Sequence, residues 1–108
     1  MRFHHIGVVV PNIKNSLNDI KQFITFKETS LPTLIGSQKV NVCFLNMDNG
    51  FLELIEPIND DSPVSNFASK GGGIHHICFE VKDIHLTISE MKDKGARVIV
   101  KPVLGFKN

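Results

Sequence analysis

One stretch occurs twice in the chain, and the repeat limits the folds open to it. His4-His5-Ile6-Gly7-Val8-Val9-Val10 opens the sequence, and His75-His76-Ile77-Cys78-Phe79-Glu80-Val81 returns 71 residues later. The match runs on past the histidines. Asn12-Ile13 aligns with Asp83-Ile84, Ser16-Leu17 with Thr87-Ile88, and Asp19-Ile20-Lys21 with Glu90-Met91-Lys92. A fixed offset held through an apolar run, a polar break and an amphipathic stretch marks an internal repeat. Each copy puts a His-His pair on a strand that feeds a helix. Two such halves can lay their equivalent strands side by side, so that residues at equivalent positions converge.

The local signals fill in each half. Residues 3–10 are rich in valine and isoleucine and predict a strand, ended by Pro11 with Asn12 as helix N-cap. Ile13, Leu17, Ile20 and Ile24 recur at helical spacing and predict a helix over 13–24. Residues 26–34 predict a short strand containing Pro32, and Ile35-Gly36-Ser37 a turn. Residues 40–47 and 51–58 predict a hairpin closed by Asp48-Asn49-Gly50. Ser62 as N-cap and Pro63 at the first helical position open a short helix to about Lys70. Gly71-Gly72-Gly73 ends it, either letting backbone approach a ligand or serving as a flexible lead-in. Residues 74–81 predict a strand, and Asp83 caps a helix with Ile84, Ile88 and Met91 on one face, ended at Gly95. Residues 97–100 begin a further strand, and 101–108 form a loop or strand end. The expected organisation is one module over 1–58, a connector over 59–73 and a partial second module over 74–108. That second module lacks the hairpin that closes the first.

Composition narrows the partners. A chain of 108 residues is one domain with room for a modest core, and 42% hydrophobic with 21% charged residues is the balance of a soluble globular protein. Net charge is +1 with no lysine or arginine cluster, which argues against nucleic acid and against an anionic membrane surface. No apolar run approaches spanning length, and Met1-Arg2-Phe3 leads directly into a strand pattern. No signal peptide and a cytoplasmic location are therefore expected. Cys43 and Cys78 lie in strand-like runs and read as free buried thiols of a reducing compartment, with a disulfide as the other reading.

Strand alternation assigns the faces. Ile6, Val8, Val10, Leu52, Leu54, Ile77, Phe79 and Val81 form an apolar face for two helices to cover. His5, Gly7 and Val9, with Phe51, Glu53 and Ile55 and with His76, Cys78 and Glu80, form the other. Two imidazoles and a carboxylate on that second face, His5, Glu53 and His76, suit a divalent metal. Singly, each has a plainer role: a hydrogen-bonded strand histidine, or a glutamate facing water from an open sheet. The recurrence of His-His-Ile at one strand position turns the reading towards ligands, with a duplicated packing motif as the alternative. Alternation sends His4 and His75 to the opposite face as capping or packing residues. Glu80 shares the site face, with a surface role equally open, and His85 is expected to be exposed.

Several motifs in order carry a family likeness. His4-His5-Ile6-Gly7, Glu53-Leu54-Ile55-Glu56-Pro57, Ser62-Pro63 with Phe67, and Gly73-Ile74-His75-His76-Ile77 together resemble the vicinal oxygen chelate superfamily. Within it they are most similar to the methylmalonyl-CoA epimerases and their glyoxalase-like relatives, over nearly the whole chain. The resemblance implies an α+β fold of paired βαβββ modules around a metal-binding cavity, the second module here incomplete. It implies metal ligands at His5, Glu53 and His76, holding a divalent ion (Mn, Co, Ni, Zn or Fe). It also implies a small-molecule substrate, such as an acyl-CoA thioester or a 2-oxoaldehyde adduct, and a homodimer.

The departures bear on activity. The family's fourth ligand is a glutamate on the last strand of the second module, which would lie beyond Asn108. In the epimerases that glutamate is also one of two acid–base groups. The other lies on the strand matching residues 40–47, near Asn41 and Val42, where this chain has no carboxylate. No catalytic residue is assigned on this basis. The expected function is a metal-dependent isomerase or lyase of the epimerase or glyoxalase type, working through a stabilised enolate. The alternatives are a non-catalytic module that sequesters a small molecule and, with less support, an extradiol-type dioxygenase. Residues 97–100 are expected to form an unpaired edge that a second copy covers.

Overall fold

The computed structural model describes residues 1–99. One sheet is built from β1 (Arg2–Val9), β2 (Glu28–Thr29), β3 (Thr33–Ile35), β4 (Val40–Asn46), β5 (Phe51–Pro57) and β6 (Gly73–Glu80). The α-helices are α1 (Ile13–Lys21), α2 (Ser65–Ser69) and α3 (Ile84–Asp93), and a 3-10 turn spans Gly36–Gln38. Across the sheet the order is β2-β4-β5-β1-β6, and β3 also pairs with β4. β1 runs parallel to β5, and every other pairing is antiparallel. The architecture is α+β, and the two copies of the repeat lie side by side as β1 and β6.

α1 covers one face. Asn12 accepts a hydrogen bond from the Asn15 amide at 2.9 Å, and the Ile13 amide donates to Glu56 Oε2 at 2.9 Å. A carboxylate at the helix start meets the positive end of the helix dipole. Ile13 packs with Val10, Cys43, Leu45 and Leu54, and Leu17 and Ile20 lie against them. The other face buries Val9, Val40, Val42, Phe44 and Ile55 with Val64, the N-cap of α2, and Ala68 within α2. Each fully buried aliphatic side chain contributes about 1.5–3 kcal/mol relative to exposure. The hairpin closes as its sequence signals: Asp48 takes a positive φ of 78°, and the Met47 amide donates to the Gly50 carbonyl at 2.9 Å.

Several expectations change. α1 stops at Lys21, residues 22–23 continue only as a turn, and Phe23 and Ile24 are exposed, so this end of the expected helix buries no apolar side chain. The strand expected over 26–34 splits around Pro32, which has no N–H for a ladder, into β2 and β3 at opposite ends of β4. Ser62 caps no helix. Its hydroxyl accepts from the Val64 amide at 3.4 Å in a turn that precedes α2. At Gly72, with φ of 74°, a Cβ would sit 2.0 Å from the Val9 carbonyl oxygen. This glycine therefore packs chain against chain and is not a free lead-in.

The second half differs most. α3 is capped by Asp83, which accepts from the Leu86 amide at 3.0 Å, but it buries no residue. Ile77 and Phe79 stay more than half exposed, so of the two helices α1 covers its apolar face and α3 does not. Among the described residues β6 is the outer strand, with nothing beyond it for α3 to close against. Arg97–Ile99 is not a strand, because it has no ladder partner there; Val100 and residues 101–108 lie outside the described residues. Cys43 is buried, Cys78 is half-buried, and both are free. No helix among the described residues is long and apolar enough to cross a membrane.

Candidate metal centre

The register sets four residues in a row across the sheet: Phe44 on β4, Glu53 on β5, Gly7 on β1 and His76 on β6. The next row holds Phe51, His5 and Cys78. Gly7 is the floor between them. A Cβ there would lie 2.2 Å from Cε1 of His76, so only glycine leaves the ring its place.

Over this floor His5, Glu53 and His76 come together. His5 Nε2 lies 3.0 Å from His76 Nε2 and 3.1 Å from Glu53 Oε1, and His76 Nε2 lies 3.2 Å from the same oxygen. Three electron-pair donors this close repel unless a proton or a cation lies among them. An ion with bonds of ~2.1 Å separates neighbouring donors by ~3.0 Å at right angles and ~3.4 Å at the tetrahedral angle. The triangle falls in that interval, so the donor set fits one divalent ion. His5 and Glu53 are buried and His76 is half-buried, which leaves one side open. Burial pushes the His5 pKa below its usual value, outweighing the Glu53 carboxylate that raises it. A neutral imidazole is the form that ligates.

The rest of the face is apolar on one flank. Phe44 stands edge-on to His5, with centroids 5.5 Å apart, and Phe51 lies against His4 at 5.2 Å. Near Asn41 and Val42, where the resemblance expects an acid–base carboxylate, β4 carries none: Asn41 donates to Glu56 Oε1 at 3.3 Å, and Val42 is only 1% exposed in an apolar cluster. Glu80 is engaged outside the centre by Arg2, at 2.7 Å. His4, His5 and Cys78 form a second grouping. Burial holds the Cys78 thiol above its usual pKa, and the Glu53 and Glu80 carboxylates push it the same way.

His4 and His75 depart from expectation. Alternation sends them to the far face, yet His4 Nδ1 lies 2.7 Å from His5 Nδ1, and His75 Nδ1 lies 2.9 Å from His76 Nδ1. Irregularities in the β1–β6 ladder bring each pair together. No residue type in the sequence announces these, although the doubled histidine at both copies is the trace they leave.

The chain is similar to known proteins in both sequence and fold. Residues 4–108 match the family model of the glyoxalase/bleomycin resistance protein/dioxygenase superfamily. The chain is 32% identical to the mitochondrial methylmalonyl-CoA epimerase of Bos taurus over 91% of its own length and 57% of that protein's. It is 33% identical to an ethylmalonyl-CoA/methylmalonyl-CoA epimerase of Cereibacter sphaeroides, over 91% and 74%. It thus spans little more than half of the bovine relative. Among solved structures, a hypothetical protein of Bacillus halodurans superposes with a TM-score of 0.89 at 35% identity, covering 98% of this chain and 78% of that one. A variant of Streptomyces coelicolor methylmalonyl-CoA epimerase in complex with 2-nitronate-propionyl-CoA gives 0.82 at 29%, covering 98% and 81%. The chain therefore belongs to the glyoxalase/bleomycin resistance protein/dioxygenase superfamily.

Proposed function

We propose that the chain is a metal-dependent isomerase module of the epimerase type, acting at the carbon between a thioester carbonyl and a carboxylate. The convergence of His5 Nε2, Glu53 Oε1 and His76 Nε2 within 3.2 Å carries this reading. These residues would hold a divalent ion (Mn, Co, Ni, Zn or Fe), which when bound supplies Lewis-acid polarisation of two neighbouring substrate oxygens. Glu53 brings one negative charge to balance the cation, and buried His5 offers a neutral lone pair. Phe44 and Phe51 shield one flank from water, which strengthens every charge interaction inside. The epimerase relatives point to an acyl-CoA thioester as substrate, and the glyoxalase-like resemblance leaves a 2-oxoaldehyde adduct as the second class. On this reading 1–58 is one module, 59–73 a connector and 74–108 part of a second.

Val42 favours a second reading. With no carboxylate on β4, the face lacks a base where an epimerase would have one. A non-catalytic module that captures the same ligand needs the metal and no base. Deuterium uptake at C2 of methylmalonyl-CoA in heavy water, with added cobalt, separates the two. The epimerase reading predicts uptake by the wild type and its loss in His76→Ala. Metal-dependent binding without uptake supports capture, and neither binding nor uptake contradicts both.

A further inference from the structure

Residue pairing between β1 and β6 slips twice. Phe3 pairs with Phe79 but His5 with Cys78, so His4 is an extra residue on β1. Gly7 pairs with His76 but Val8 with Ile74, so His75 is an extra residue on β6. The two bulges occupy equivalent positions of the repeat, one per strand, and the second restores the register lost at the first. A bulge turns two successive side chains to the same side and re-aims them. That is why the histidine pairs meet through their Nδ1 atoms, at 2.7 and 2.9 Å. Aromatic neighbours flank the outer rings: His4 lies against Phe51 at 5.2 Å, and His75 near Phe67 at 6.2 Å.

Two neutral imidazole nitrogens at hydrogen-bond distance share one proton, so one ring donates and the other accepts. A ring that gives its Nε2 lone pair to a metal carries its proton on Nδ1. His5 and His76 must then donate, and His4 and His75 must accept.

We infer that His4 and His75 are positioning residues: bulged out of the ladder, each accepts the Nδ1–H of the next histidine and so holds its Nε2 on the metal. The inference rests on the metal reading of the centre and extends it to the first member of each pair. It also gives the doubled histidine a reason, since a lone strand histidine would have no neighbour to fix its tautomer.

Zinc calorimetry on substituted chains tests it. His4→Phe and His75→Phe keep a ring against the aromatic neighbour but remove the acceptor, and each should weaken zinc binding about 10–100-fold. His4→Asn and His75→Asn place Oδ1 near the position of Nδ1 and should stay within a few-fold of wild type. In the zinc-loaded wild type, long-range proton–nitrogen NMR should find His4 and His75 protonated on Nε2. Unchanged affinity in the Phe variants, Asn variants no better than Phe, or His4 and His75 protonated on Nδ1 would each overturn the inference. A wild-type chain that takes up no zinc overturns the centre itself, and this inference with it.

Discussion

Gly7 is the residue on which the centre most depends without supplying a donor. Its missing side chain leaves room for the His76 ring, whose Cε1, Nδ1 and Nε2 would lie 2.2, 2.6 and 2.7 Å from an added Cβ. Gly7→Ala forces that ring aside and breaks the triangle of donors. The ring is half-buried and can turn towards water, so the stability cost should be about 1 kcal/mol, the low end of overpacking. Zinc affinity should fall about tenfold or more, because the supporting geometry is lost. Calorimetry beside a urea melt checks both, and an alanine variant that binds zinc as tightly as wild type would show that His76 does not act from this place.

At the scale of elements, the legible parts were those whose signal is local. Asn12 and Asp83 mark helix starts, Asp48-Asn49-Gly50 marks the hairpin, and alternation places His5, Glu53 and His76 on a common face. What alternation misses is the pair of bulges, because a bulge belongs to the ladder between two strands and not to either strand alone. His4 and His75 were therefore sent to the wrong face. α3 was expected to bury Ile77 and Phe79, but amphipathic spacing says only that a helix has an apolar face, not that a partner lies beneath it. The strand expected over 97–100 failed across its described part for the same reason. Among the described residues the candidate association edge is then β6, whose Ile74, Ile77 and Phe79 are 70%, 58% and 51% exposed. An outer strand with exposed apolar side chains invites pairing with a second copy. Sedimentation across a dilution series should give twice 12.0 kDa, and a mass of 12.0 kDa at every concentration contradicts the dimer.

For the whole molecule, pH reports on two imidazoles, the buried His5 and the more exposed His75. Burial holds His5 and His75 below their ordinary value of 6.5. The unfolded chain therefore binds protons near that value while the folded chain does not, so the stability these groups contribute is full above it and is lost as pH falls below it. The metal-free protein should melt at a lower temperature at about pH 5 than at about pH 7.5, and an equal or higher melting temperature at the acid end contradicts this assignment. The central claim is that the repeat exists to bring two histidines and one glutamate onto one ion. A crystal grown with zinc and measured at the zinc absorption edge tests it most directly. The account predicts one anomalous peak at ~2.0–2.2 Å from His5 Nε2, Glu53 Oε1 and His76 Nε2. Zinc bound elsewhere, with these three side chains still in mutual contact, would contradict it.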